Sequence, residues 1–167
     1  MERLYSPWRM KYVSSMHKSD ECIFCAKLND DPARDRENLV VFRAASSFVV
    51  MNLYPYNTGH LMVVPNQHVA RLSDVPPAVQ AEMMALTTYF VDLLTAVMRP
   101  DGFNIGMNLG RVAGAGIDTH LHLHIVPRWA GDSNFMPVIG STRVLPEDLG
   151  ATYDKIVAYL QQNPPAV

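Results

Sequence analysis

His120, His122 and His124 are the residues of this chain best placed, by type and spacing, to do chemistry. A neutral imidazole can act as a nucleophile, a general acid–base or a metal ligand. Alternate spacing is that of a β-strand, in which residues i, i+2 and i+4 share one face. The interleaved Leu121, Leu123 and Ile125 then face a core. Pro127 has no N–H to donate and suits the strand end. The pattern alone leaves two chemistries open: a three-histidine metal site, or catalysis by the imidazoles themselves.

Two further clusters bear on that choice. The run Asn108-Leu109-Gly110-Arg111-Val112-Ala113-Gly114-Ala115-Gly116-Ile117-Asp118-Thr119 leads straight into the histidines. Its glycines allow close approach of backbone to a ligand and can turn several N–H groups one way, as an anion nest does. Cys22-Ile23-Phe24-Cys25 is a C-x-x-C, which reads as a metal site, a redox pair or two plain thiols. The thioredoxin-like βαβ surroundings of a redox pair are missing. A tetrahedral zinc site needs two more ligands, for which His68 and His120 are the candidates.

The positioning elements can be read from periodicity. Residues 39–43, 48–52, 60–64 and 103–107 read as strands, in addition to the histidine strand. Residues 30–38 are polar and charged and read as a loop. A long helix starts near Pro76-Pro77 with an apolar seam of Val79, Met83, Leu86, Phe90, Leu93 and Val97, widened by Met84, Val91 and Leu94. A last helix after Asp148 carries Leu149, Tyr153, Ile156 and Leu160. Ser6-Pro7 opens a short N-terminal helix that serves as a docking arm, and residues 129–137 form a loop across the site mouth. The elements add up to an α+β fold: an antiparallel sheet of about five strands with the two helices packed on it.

The chain has 167 residues, 49% of them hydrophobic, which fits one domain with its own core. A net charge of −2 provides no global basic field, so neither nucleic acid nor membrane is an expected partner. No uninterrupted apolar run reaches the roughly 18 residues of a membrane span, and no apolar segment of a signal peptide follows Met1. With only two cysteines, a reducing cytoplasm is the expected location.

The histidine row, with Asn108-Leu109-Gly110 and the glycine-rich loop before it, resembles the histidine-triad (HIT) superfamily of nucleotide hydrolases and transferases over roughly residues 20–130. Asn52-Leu53-Tyr54-Pro55-Tyr56-Asn57-Thr58-Gly59-His60 and Pro127-Arg128-Trp129-Ala130-Gly131-Asp132-Ser133-Asn134-Phe135 are similar more specifically to its bacterial diadenosine tetraphosphate phosphorylase branch. The resemblance implies one HIT-like domain over 1–167, with an arm at 1–20, a core at 22–130 and a C-terminal loop and helix at 131–167.

The same resemblance implies His122 as a nucleophile that becomes covalently nucleotidylated, His124 on the substrate phosphate or leaving oxygen, and His120 in support from the metal side. It places Asn52 on a ribose, with Asn108, Gly110 and the backbone of Gly114, Ala115 and Gly116 on phosphoryl oxygens. Trp129 would stack on a base or close the site, and His60 is a supporting residue. A structural zinc would sit on Cys22, Cys25, His68 and His120, and the protein would be a homodimer or larger. The implied reaction is cleavage of diadenosine tetraphosphate or a relative with phosphate as acceptor. The alternatives are a hydrolase of dinucleoside polyphosphates or nucleoside phosphoramidates, or a non-catalytic nucleotide- or metal-binding module. The chain departs from the commonest pattern in two ways. Gly116-Ile117 stands where many members carry Gln-Ser or Ser, and the loop is one residue longer than in the hydrolase branches.

Overall fold

The structure is a computed structural model that describes residues 21–132 and 147–166. The N-terminal arm expected at Ser6-Pro7 and the site-mouth loop beyond Asp132 lie outside the described residues.

The chain enters through α1 (Ile23–Asn29) and the short α2 (Asp35–Asn38), with a 3-10 turn at Pro32–Arg34 between them. Residues 32–38 are therefore helical turns rather than part of the expected loop. Their cause is local: the Asp31 carboxylate accepts the Ala33 N–H at 2.9 Å, and Pro32 at the first position presets the turn.

β1 (Val40–Arg43), β2 (Ser47–Met51) and β3 (Leu61–Pro65) follow as an antiparallel meander. β2 and β3 are buried at every position, because both faces of this part of the sheet are covered. α3 (Pro77–Met98), β4 (Gly102–Met107), β5 (Leu123–Arg128) and α4 (Leu149–Gln162) complete the domain. The five strands form one antiparallel sheet in the order β1-β2-β3-β5-β4. β5 lies inside the sheet, while β4 forms an edge and leaves Ile105 47% exposed.

The period of two along the strands sorts side chains into two cores. Val49, Met51, Leu61, Val63, Leu121, Leu123 and Ile125 point to one face, where they pack with Met83, Leu86, Phe90, Leu93 and Leu94 of α3 and Tyr153, Ile156 and Leu160 of α4. The intervening Phe48, Val50, Met62 and Val64 form a smaller core on the opposite face, closed by Phe24 of α1. Each such side chain removed from water contributes about 1.5–3 kcal/mol. The expected seam of α3 is observed, with Val79 and Val97 at its margins and Met84 left 54% exposed. By length and composition α3 matches a membrane span, with mean hydropathy 1.3, although its sequence holds no uninterrupted apolar run of that length. Its most apolar face packs on the sheet, which accounts for that composition.

Polar ties hold the layers together. Arg43 bonds the Asp35 carboxylate at 2.6 Å and the carbonyls of Lys27 and Leu28, which anchors the end of α1 to β1. The Glu82 carboxylate of α3 accepts the Ser46 N–H at 3.0 Å, and Tyr153 of α4 donates to the Val40 carbonyl at 3.0 Å.

Candidate active site

β5 begins three residues later than the histidine alternation implied. Pairing starts at Leu123 opposite Val63, and residues 120–122 lie outside the ladder although β3 runs on to Pro65. Leu121 donates its N–H to the Val69 carbonyl at 2.7 Å instead. The alternation of side chains survives this irregular stretch. Leu121 joins the main core, while the His122 ring stacks edge-to-face on His124 with centroids 4.8 Å apart. The rings lean closer than the roughly 6.5–7 Å separation of same-face residues on a strand.

His120, His122 and His124 are all buried. Burial holds all three below the ordinary imidazole value; it takes His124 down to about 4, with the neighbouring His122 as a lesser cause. His122 Nδ1 lies 2.9 Å from the backbone carbonyl of His120. A carbonyl can only accept, so Nδ1 carries the proton and Nε2 carries the lone pair. His124 Nδ1 lies 2.9 Å from His60 Nε2, and His124 Nε2 is buried with no hydrogen-bond partner among the described residues.

The ring of His120 turns the other way. Its Nε2 donates to the Pro65 carbonyl at 2.9 Å, which leaves the Nδ1 lone pair facing Cys22 Sγ at 3.3 Å and Cys25 Sγ at 3.6 Å. His68 Nδ1 lies 3.2 Å from Cys25 Sγ. The four ligand atoms lie within 4.8 Å of one another. Zn–S near 2.3 Å and Zn–N near 2.0–2.1 Å require S···N edges of about 3.5 Å in a tetrahedron, and the observed separations fit. Burial and the adjacent Cys22 thiol push the Cys25 thiol up, so two thiolates side by side call for a cation. Cys22, Cys25, His68 and His120 thus form a cluster that could hold a metal ion. The C-x-x-C achieves its part by flanking the first turn of α1, with Cys22 as the N-cap residue.

The other residues singled out from the sequence border this centre in different ways. Asn52 follows β2; its Oδ1 accepts the Tyr54 N–H at 2.9 Å and its Nδ2 faces His60 Nδ1 at 3.4 Å. Asn108 follows β4 and is half-buried. Between Gly110 (φ 82°) and Gly114 (φ 93°) the loop makes a 3-10 turn. In that turn the Gly114 N–H donates to Arg111 and the Ala115 N–H to Gly110. Gly116 is exposed and Ala115 is buried. Two of the three N–H groups of the expected nest, those of Gly114 and Ala115, are thus engaged within the loop in this conformation. Trp129 is half-buried, and its N–H donates to Asp132 at 3.1 Å.

Sequence reasoning missed the clamp on that segment. Asp132 also takes Arg128 Nε at 2.6 Å and Asn57 Nδ2 at 2.8 Å, and Asn57 Nδ2 reaches the Pro127 carbonyl at 3.1 Å. The Arg128–Asp132 spacing was visible, but the part played by Asn57 depends on the fold.

His124 in the interior strand β5 and His122 just before it thus bring two buried imidazoles together, one with a free lone pair at Nε2, an arrangement able to act on a substrate. The sequence pattern of the HIT domain family matches residues 33–131. The chain is 41% identical to AP-4-A phosphorylase of Mycobacterium tuberculosis over 161 residues, covering 91% of this chain and 80% of that one. It is 29% identical over 108 residues to an adenosine 5'-monophosphoramidase of Schizosaccharomyces pombe, covering 64% of this chain and 74% of that one. Among solved structures, it superposes on a Zn-bound histidine triad family protein from Mycobacterium smegmatis with TM-score 0.67 and 28% identity, over 85% of this chain and 94% of that one. The chain belongs to the HIT family, and within it to the bacterial phosphorylase-like enzymes.

Proposed function

We propose that this enzyme cleaves dinucleoside polyphosphates such as diadenosine tetraphosphate by passing a nucleotidyl group through His122 to inorganic phosphate. The observation that carries the reading is the 2.9 Å bond from His122 Nδ1–H to the His120 carbonyl, which fixes the Nε2 lone pair as the attacking group. The N–P bond forms as the bond from phosphorus to the bridging oxygen breaks, and that oxygen leaves with the electron pair on the departing nucleotide. Phosphate then attacks the same phosphorus, breaks the N–P bond and restores the neutral imidazole. For diadenosine tetraphosphate the products are ADP and ATP. The relationship to a protein named AP-4-A phosphorylase supports phosphate as acceptor. The relationship to a monophosphoramidase supports the second reading, in which water takes that place and phosphoramidates are also cleaved.

In this reading Asn52 meets the ribose, Asn108 and the loop of Gly110, Gly114, Ala115 and Gly116 meet the phosphates, and Trp129 borders the base. The cysteine–histidine cluster suits zinc, for which the Zn-bound relative is a precedent. When bound, the ion supplies a cross-link between α1 and the segments bearing His68 and His120, rather than a step of the reaction. A reducing cytoplasm would keep both thiols available to it.

Assays with diadenosine tetraphosphate, with and without millimolar phosphate, test the reaction. ADP and continued turnover should require phosphate; in its absence one AMP should be trapped on the protein, with release of a single equivalent of ATP. Equal rates without phosphate would make the enzyme a hydrolase. No products and no adduct would leave a binding module.

A further inference from the structure

We propose that His60 is a positioning residue that fixes the tautomer of His124, so that His124 presents Nε2–H to the substrate as a hydrogen-bond donor. The starting point is a backbone group. The Tyr56 N–H lies 3.0 Å from His60 Nδ1, and an amide N–H can only donate. A second donor converges on the same atom. Because Asn52 Oδ1 accepts the Tyr54 N–H, the Asn52 group facing His60 Nδ1 at 3.4 Å is its amide Nδ2. His60 Nδ1 is therefore an acceptor, and the proton of the neutral ring sits on Nε2. His60 Nε2 lies 2.9 Å from His124 Nδ1 and donates to it. His124 Nδ1 is thereby an acceptor in its turn, and its proton sits on Nε2.

That Nε2–H is one of the buried polar groups that have no partner among the described residues. Buried donors are seldom left unmatched, and one left so beside a reaction centre is matched by what binds there. The adjoining ring is set the opposite way. His122 carries its proton on Nδ1 and its lone pair on Nε2, and the two rings stand edge-to-face with centroids 4.8 Å apart. A lone pair for phosphorus and a donor for a phosphate oxygen thus stand side by side. Neutral His124 cannot give its proton away without becoming an imidazolate. It therefore stabilises the leaving oxygen through a hydrogen bond, which suffices for a phosphate leaving group. Protonating His124 would set an N–H on Nδ1 against the His60 N–H, in keeping with its depressed basicity.

His60 is completely buried, and its position is enforced by the preceding residue. Gly59 has φ +75°, and a Cβ there would meet Met98 Sδ at 2.7 Å.

The role in turnover rests on the proposed nucleotidyl transfer, but the tautomer does not, and the experiment separates them. Nitrogen-15 NMR of the histidine rings in the substrate-free, zinc-replete protein should show His124 protonated at Nε2 and unprotonated at Nδ1. His60→Leu should lose that signature and lower kcat roughly a hundredfold at nearly constant KM, the low end of the 10²–10⁴ span of general acid–base groups. His60→Gln places an amide donor near the former Nε2 and should restore both the tautomer and most of kcat. A wild-type His124 protonated at Nδ1, or a His60→Leu protein that keeps the Nε2–H tautomer, would overturn the proposal. If the wild type shows the expected tautomer yet turns over no dinucleoside polyphosphate, the proposed activity fails and the relay stands.

Discussion

His120 accepts the Nδ1–H of His122 at its carbonyl, 2.9 Å away, while its own Nδ1 lies 3.3 Å from Cys22 Sγ. One residue thus borders the metal cluster through its ring and the nucleophile through its backbone. Cys22→Ser should abolish stoichiometric zinc, measured by elemental analysis of protein purified without chelator. It should also lower stability by roughly 3 kcal/mol or more, because the binding free energy of a structural zinc adds to folding. Turnover should fall less than tenfold under folding conditions, since the His120 carbonyl remains in place. A zinc-free wild type of undiminished stability would remove the four-ligand assignment.

His122→Ala should cost several orders of magnitude in kcat, as the loss of an essential nucleophile does. Nucleotide affinity, measured by calorimetry, should change little, because ground-state contacts fall to Asn52, Asn108 and the glycine loop. A variant that keeps more than about a tenth of the wild-type rate would exclude covalent transfer through His122.

Acid should destabilise the fold through His124. Its folded-state value of about 4 lies below the ordinary imidazole value of 6.5, so the unfolded chain binds the proton more readily. Stability therefore rises with pH between about 4 and 6.5 and is lost on acidification through that window. The contribution from this group is of the order of 3 kcal/mol, since each tenfold difference in proton affinity between the folded and unfolded chain is worth about 1.4 kcal/mol. Urea unfolding at pH 5 and pH 7 should show the loss, and His124→Asn should flatten it. An unchanged pH profile in that variant would assign the acid sensitivity to other groups.

The β4 edge leaves Asn104, Ile105 and Gly106 exposed beside an unpaired backbone, and Met84 of α3 is exposed as well. A symmetric partner is the expected cover for such an edge. Light scattering at micromolar concentration should give twice the 18.7 kDa chain mass or more, and Ile105→Lys should shift it towards the monomer. A wild-type mass equal to a single chain would refute the assembly.

The fold was legible where burial is periodic. The first four strands lie within one residue of their expected spans, and the seams of α3 and α4 match the apolar spacing. α1 and α2 are not legible in the sequence, because short polar helices depend on tertiary ties such as Arg43 to the Lys27 and Leu28 carbonyls. Histidine alternation starts β5 too early, because it reports which way side chains face, not which backbone lies alongside. At the site, the C-x-x-C could be read from spacing and the full ligand set from the family resemblance, and Cys22, Cys25, His68 and His120 do converge. Which ring nitrogen carries a proton could not be read, because His60, His120 and His122 take their tautomers from backbone groups that only the fold brings near.

Phe24 sits between the two cysteines, and its ring packs on His120 at 5.5 Å and on His122 at 5.0 Å. It also closes the smaller core, which α1 covers alone among the described helices. Cooperative opening follows packed units of this kind, so α1, the ion and the nucleophile should come apart together, ahead of α3 and α4. In amide hydrogen exchange, residues 24–29 and 121–123 should share one opening free energy, and it should rise when zinc is added. The exchange rate of a helix that contributes no reacting atom would then report whether the nucleophile is in order.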